Sequence, residues 1–190
     1  MEKLIEKQKF YISEFREEAA WLAFMQREGW KFISRDSYHY EFEKCEKEDY
    51  IYQLDFMEDS AANEDYTQMF SDYGWEEVFQ FRNWFYFRKK RKDEEEDLLI
   101  FSDNDSKIDM CRRVINKEVL QKIPLLLALI FFEYMILYTK VFDFDGFLKG
   151  LFRGIAIGVI CVIIICFGMI IGQYSRLNKM IKDMKNPIQK

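Results

Sequence analysis

Glu133 is the residue whose type and position most invite chemistry, because it interrupts an apolar stretch. It is the eleventh residue of the run IPLLLALIFFEYMILYTKVF (residues 123–142) and the one charge among the 17 residues between Lys122 and Lys140. A carboxylate in such surroundings is costly when ionised and unpaired, so it should be protonated, approached by a cation, or turned toward a polar partner. The available cations are Lys149 and Arg153, the latter at the start of a second apolar run, residues 151–172. Three roles remain open for Glu133: an internal pair with Arg153 that fixes two helices together, snorkelling to the membrane interface, or a part in ion or substrate movement. The last requires oligomerisation, since two helices enclose no path.

Elsewhere the residues of catalysis are sparse. His39 is the single histidine, flanked by Tyr38 and Tyr40, and reads as an ordinary strand residue. Cys45 and Cys111 are isolated, and Cys161 and Cys166 fall inside the second apolar run, so their spacing suits neither a disulfide scaffold nor a zinc site. No HExxH, CxxC, P-loop, GxGxxG or GxSxG pattern is present. Glu76-Glu77 and Glu94-Glu95-Glu96 are adjacent in sequence, as solvated charge is. The sequence therefore assigns no catalytic residue, no cofactor and no metal, and an enzyme is the minor reading.

Positioning Glu133 and Arg153 calls for membrane helices. The second run reads GIAIGVICVIIICFGMIIG from Gly154 to Gly172, with 19 uncharged residues, the length a helix needs to cross a bilayer core. Beside it, the first run becomes the other arm of a two-helix transmembrane hairpin over residues 123–172. Gly154 and Gly158, and again Gly168 and Gly172, are four apart and lie near one helix face, so they can admit close packing by this chain's own first helix or by a membrane partner. Lys and Arg flank the hairpin at Arg112, Arg113, Lys117 and Lys122 and recur in the tail, residues 173–190, which places both termini in the cytoplasm of a multi-pass cell-membrane protein. The start of the chain has no signal-peptide pattern.

Charge is divided unevenly. Residues 1–120 carry a net charge of −10 and residues 121–190 one of +5. The acidic part is repelled by anionic lipid and argues against direct nucleic-acid binding. The one basic cluster, residues 88–92, abuts the acidic run 93–97 and should be largely neutralised by it.

Residues 1–92 read as a cytoplasmic α+β domain, and 93–122 as a charged, partly helical tether. A strand at 9–12 leads to a helix at 15–28, capped by Ser13 and stopped by Gly29, with Phe15, Ala19, Leu22 and Met25 as its stripe. Alternation through Phe32, then Tyr38, Tyr40 and Phe42, and then Tyr50, Tyr52, Leu54 and Phe56 predicts strands, the last two paired as a hairpin. Asn63 caps a second helix with Tyr66, Met69, Phe70 and Tyr73, ended by Gly74. A final strand, residues 77–88, comes in two pieces around Asn83. The order β-α-β-β-α-β fits a ferredoxin-like sandwich of four antiparallel strands with both helices on one face. Trp30 and Trp75, each following a helix-ending glycine, are expected at the helix–sheet seam. The last strand is aromatic on both faces, with Phe79, Phe81, Phe85 and Phe87 alternating against Val78, Trp84 and Tyr86. Its second face should form a dimer seam, lie under later residues, or bind a ligand.

The runs WLAFMQREGWKF, YHYEF, DYIYQLDF and YTQMFSDYGWEEVFQFRNWFYFRK together resemble the DUF2812 family, over roughly residues 8–92 and with a similar membrane hairpin behind. That resemblance implies a Firmicutes membrane protein encoded beside PadR-like regulators, belonging to a regulatory or sensory unit; the family has no established activity. The expected function is that of a membrane-anchored regulator or sensor whose aromatic-rich domain binds a protein partner, a ligand or a second copy. The alternative is an accessory subunit of a membrane transporter or assembly, with the helices making the specific contacts.

Overall fold

A computed structural model describes residues 2–57, 64–91, 104–138 and 147–186, and the chain divides into two compact units, Met1–Arg113 with Met184–Lys190, and Val114–Asp183. In the first unit the strands are β1 (Lys3–Lys7), β2 (Trp30–Arg35), β3 (His39–Lys44), β4 (Tyr50–Phe56), β5 (Glu76–Phe81) and β6 (Trp84–Lys90). The helices are α1 (Phe15–Arg27), α2 (Glu64–Asp72) and α3 (Asn104–Val114). The class is α+β. The strands form two three-stranded antiparallel sheets, ordered β1-β3-β2 and β4-β6-β5.

Each sheet comes from one β-α-β-β segment with its strands in the same spatial order, first, third, second, and each has a register shift in the outer strand that follows the helix, between Phe32 and Ser34 of β2 and between Glu77 and Phe79 of β5. The unit is thus a tandem repeat of one motif. This corrects the expected single four-stranded ferredoxin-like sheet. The hairpin expected between residues 38–42 and 50–56 is not formed, because β3 pairs with β1 and β2 while β4 pairs with β6. Alternation identifies strands without identifying partners, and both sets alternate alike.

The chain's first strand lies at Lys3–Lys7, not 9–12. It is a charged edge, whose Lys3 pairs with Glu41 at 2.6 Å. Ser13 is no cap either: it sits in a 3-10 turn, Ile12–Glu14, and its buried hydroxyl has no partner among the described residues. Instead the Tyr11 N–H donates to Glu14 Oε2 at 3.0 Å. The proposed cap Asn63 lies outside the described residues. Both glycine stops do hold, with φ +87° at Gly29 and +78° at Gly74, the left-handed conformation in which Gly29 N–H reaches the Gln26 carbonyl and Gly74 N–H that of Ser71.

The second face of β6 lies inside the domain. One face, Phe85 and Phe87, packs with Phe70 of α2 and Trp75. The other meets the first repeat, Trp84 against Phe15 and Tyr86 against Phe32, with ring centroids 5.7 and 5.4 Å apart. A strand aromatic on both sides is what burial between two layers requires.

The second unit contains a π-helical turn (Ile115–Val119), a 3-10 turn (Leu120–Lys122) and two helices, α4 (Ile123–Tyr138) and α5 (Phe147–Lys185), the latter shared at its end with the first unit. One helix among the described residues, over Gly154–Lys185, is long and apolar enough to cross a membrane, by length and composition. Residues 139–146, with Lys140, Asp143 and Asp145, lie outside the described residues.

Candidate functional site

Helix α1 is built with two different sides. One is a buried stripe of Phe15, Glu18, Leu22, Met25 and Gln26; the other carries Ala19, Ala20 and Ala23, small residues that let it lie close along β4. Between α1, β4 and α3 opens a groove of about 700 Å³ within the first unit. That is a volume typical of small-molecule sites. Its lining is largely apolar, from Ala19 and Ala23 to Ile51, Leu54, Trp75 and Met110, with the polar Gln53 and Asn104 among them, and it carries the cations Arg16, Arg27, Lys107 and Arg91. Asp49 is the one carboxylate in the lining, and it is paired with Arg91 at 3.3 Å. Arg16, Arg27 and Lys107 have no carboxylate in ion-pair range among the described residues.

Behind the groove a buried polar cluster fixes α1. Glu18 Oε1 accepts hydrogen bonds from Arg35 Nη1, from the Tyr40 hydroxyl at 2.9 Å and from the Tyr86 hydroxyl at 2.7 Å. The Arg35 guanidinium also lies over the rings of Tyr40 and Phe81. Burial and then the Glu18 charge push both phenols far above their ordinary range. A second buried bond, Tyr52 hydroxyl to Gln26 Oε1 at 2.7 Å, ties α1 to β4. Within the Glu18 cluster Arg35 Nε alone is left without a hydrogen-bond partner among the described residues, and charges so tightly bonded hold a scaffold rather than react. On the far side of β4, Asp55 is fully buried. Its Oδ1 accepts the Phe56 N–H at 2.8 Å and lies 3.5 Å from Arg113 Nη2, while Arg113 Nε donates to the Phe56 carbonyl at 2.9 Å.

The residues singled out by sequence divide between these settings. Trp75 lies in the core and reaches the groove; Trp84 packs on Phe15 and Phe56; Tyr86 joins the polar cluster; Trp30 is half-buried beneath the Lys44 ammonium, 4.3 Å from its ring. Arg88, Lys90 and Arg91 of the basic cluster are partnered by Glu76, Glu48 and Asp49, carboxylates of neighbouring strands and loops; the run 93–97 expected to neutralise them lies outside the described residues. His39 is exposed, with Nδ1 at 3.1 Å from Asp36, and this bond holds the Asp36 carboxyl below its usual range. Burial raises the thiols of Cys45 and Cys111.

In the second unit Glu133 is 5% exposed, and its Oε2 has no hydrogen-bond partner among the described residues. The side chains of Lys149 and Arg153 lie outside them, and so does the pair expected with Glu133. A Cβ added at Gly154, Gly158, Gly168 or Gly172 meets nothing within 4 Å, so the expected packing of these glycines on the chain's own first helix is not formed among the described residues. The groove itself escaped sequence analysis. Its signal was Ala19, Ala20 and Ala23 beside Arg16 and Arg27, which have no carboxylate partner among the described residues.

A family model described as a protein of unknown function, DUF2812, matches residues 14–123, from the turn before α1 to the first residue of α4. The chain belongs to the DUF2812 family. No curated protein and no solved structure matches it. The DUF2812 match takes in all of the groove's lining except Met184.

Proposed function

We propose that this DUF2812 protein is a membrane-anchored regulator or sensor whose amino-terminal unit receives its partner or ligand in the groove along β4. The single observation carrying this reading is the groove: a largely apolar lining with cations that have no carboxylate partner among the described residues, in a part of the chain whose net charge is −10. A cleft of that size beside a hydrogen-bonded scaffold supports a binding role.

We further propose that α4 and α5 form a membrane hairpin with both termini cytoplasmic. In support, Leu126 and Ile130 of α4 line one apolar cleft with Phe167 and Ile170 of α5, and Leu125, Phe131, Ile157 and Ile164 stand exposed, as lipid-facing side chains would. Two of the flanking cations are engaged, Arg112 with Asp109 and Arg113 with Asp55, and Lys117 and Lys122 stand nearer the start of α4. The open space at the four glycines favours a second role for this unit, as a subunit packing against helices of a larger membrane assembly.

Co-purification from native membranes tests the first reading, comparing the intact protein with Ala20→Trp, which fills the groove from an exposed position. Loss of bound components on filling supports it; an unchanged set contradicts it. Repeating the measurement with Gly158→Leu isolates contributions of the helices.

A further inference from the structure

We infer that the groove is a site for a single-chain anionic amphiphile, an acyl chain with a carboxylate or phosphate head. The inference rests on the proposed binding role of the groove and deepens it.

Three features select that chemistry. The lining is mostly apolar, with Phe15, Ile51, Leu54, Trp75 and Met110 outweighing the polar Gln53 and Asn104, which suits an acyl chain better than a polar ligand. The groove also carries Arg16 and Arg27 on α1 and Lys107 on α3, three cations without carboxylate partners among the described residues, the Arg16 guanidinium meeting only Met184 Sδ, at 3.4 Å from its Nη2, and the Phe15 ring. Such cations beside a largely apolar lining complement an anionic head above a buried tail. Finally, the groove follows β4 over the consecutive residues Tyr50 to Leu54, an elongated course that suits a chain-like ligand. A volume of about 700 Å³ accommodates an acyl chain with its head.

The test uses the full chain in phosphatidylcholine nanodiscs, with palmitate carrying a diazirine on its chain and adducts mapped by mass spectrometry. Adducts are expected on α1 and β4 around Ala19, Ala23 and Ile51. Adduct yield should fall at least tenfold in Arg16→Gln/Arg27→Gln/Lys107→Gln and in Ala20→Trp, and stay unchanged in Arg82→Gln, an exposed cation outside the groove. Unlabelled competitors separate the heads: displacement by palmitate alone assigns a carboxylate, and displacement by lysophosphatidate alone a phosphate. Equal displacement by neutral monopalmitoylglycerol, or equal labelling of wild type and triple variant, overturns the inference. Absence of labelling while Ala20→Trp still strips components from native membranes overturns the amphiphile but leaves the groove's binding role standing. Arg16 and Arg27 are exposed, so their replacement leaves the fold in place, which thermal unfolding of the triple variant verifies.

Discussion

The hydroxyl of Tyr86 on β6 donates to Glu18 on α1 at 2.7 Å, across 68 residues of sequence, and so joins the second β-α-β-β repeat to the helix of the first. The carboxylate oxygen that receives it also receives Arg35 and Tyr40, and Arg35 Nη1 in turn donates to the Tyr86 hydroxyl at 2.9 Å, so the junction is one small network. Tyr86→Phe should destabilise the first unit by about 1–3 kcal/mol, the cost of leaving a buried group underbonded. Tyr73→Phe, at a position 70% exposed, should change stability by less than about 0.5 kcal/mol. Urea unfolding of both variants checks this.

Alkaline pH should loosen the same junction. Burial, then the Glu18 charge, raises the Tyr40 and Tyr86 phenols in the folded state, whereas in the unfolded chain they ionise near about 10. Above that pH the unfolded state binds fewer protons, so stability present below about pH 10 is lost as pH rises. Stability measured from pH 8 to 11 should decline less steeply in Tyr86→Phe than in wild type.

Arg113 Nη2 lies 3.5 Å from the fully buried carboxylate of Asp55, and its Nε donates to the Phe56 carbonyl, so replacing Arg113 removes part of what compensates a buried charge. Arg113→Met should cost about 1–3 kcal/mol, and Asp55→Asn with Arg113→Met less than the sum of the single changes. A double-mutant cycle by chemical unfolding measures the coupling.

The two helix-ending glycines should differ in their tolerance. A Cβ at Gly29 would sit 3.1 Å from the Cys45 carbonyl oxygen, a backbone atom, while at Gly74 its nearest neighbour is the flexible end of Lys89 at 3.6 Å. Both positions have positive φ, so both alanine variants lose about 1 kcal/mol to backbone strain. Gly29→Ala should lose more, read as the lower thermal midpoint of the pair.

Local signals carried much of this fold. Gly29 and Gly74 mark helix ends by a conformation only glycine adopts cheaply, and the stripe Phe15, Leu22 and Met25 identifies the buried side of α1. The paired aromatics of β6 showed that both of its faces are covered, but not by what, since Phe32 and Glu18 reach Tyr86 only after the repeats dock. Strand partners were illegible for the same reason: β3 and β4 are adjacent in sequence and similarly alternating, yet belong to different sheets. β1 escaped notice because a charged edge strand with Leu4 alone half-buried has almost no period to read. The groove needs α1, β4 and α3 brought together, and no spacing along the chain encodes that meeting.

Occupancy of the groove in living cells is the most direct test of the central claim. A photo-reactive benzoylphenylalanine at position 104, an exposed position of the groove's lining, would be irradiated in cells and its adducts resolved by mass, with the same group at position 82 as reference. Specific adducts from position 104, lost when Ala20→Trp fills the groove, are the expected result. Indistinguishable adduct patterns from positions 104 and 82 would contradict the claim that this DUF2812 protein binds through the groove along β4.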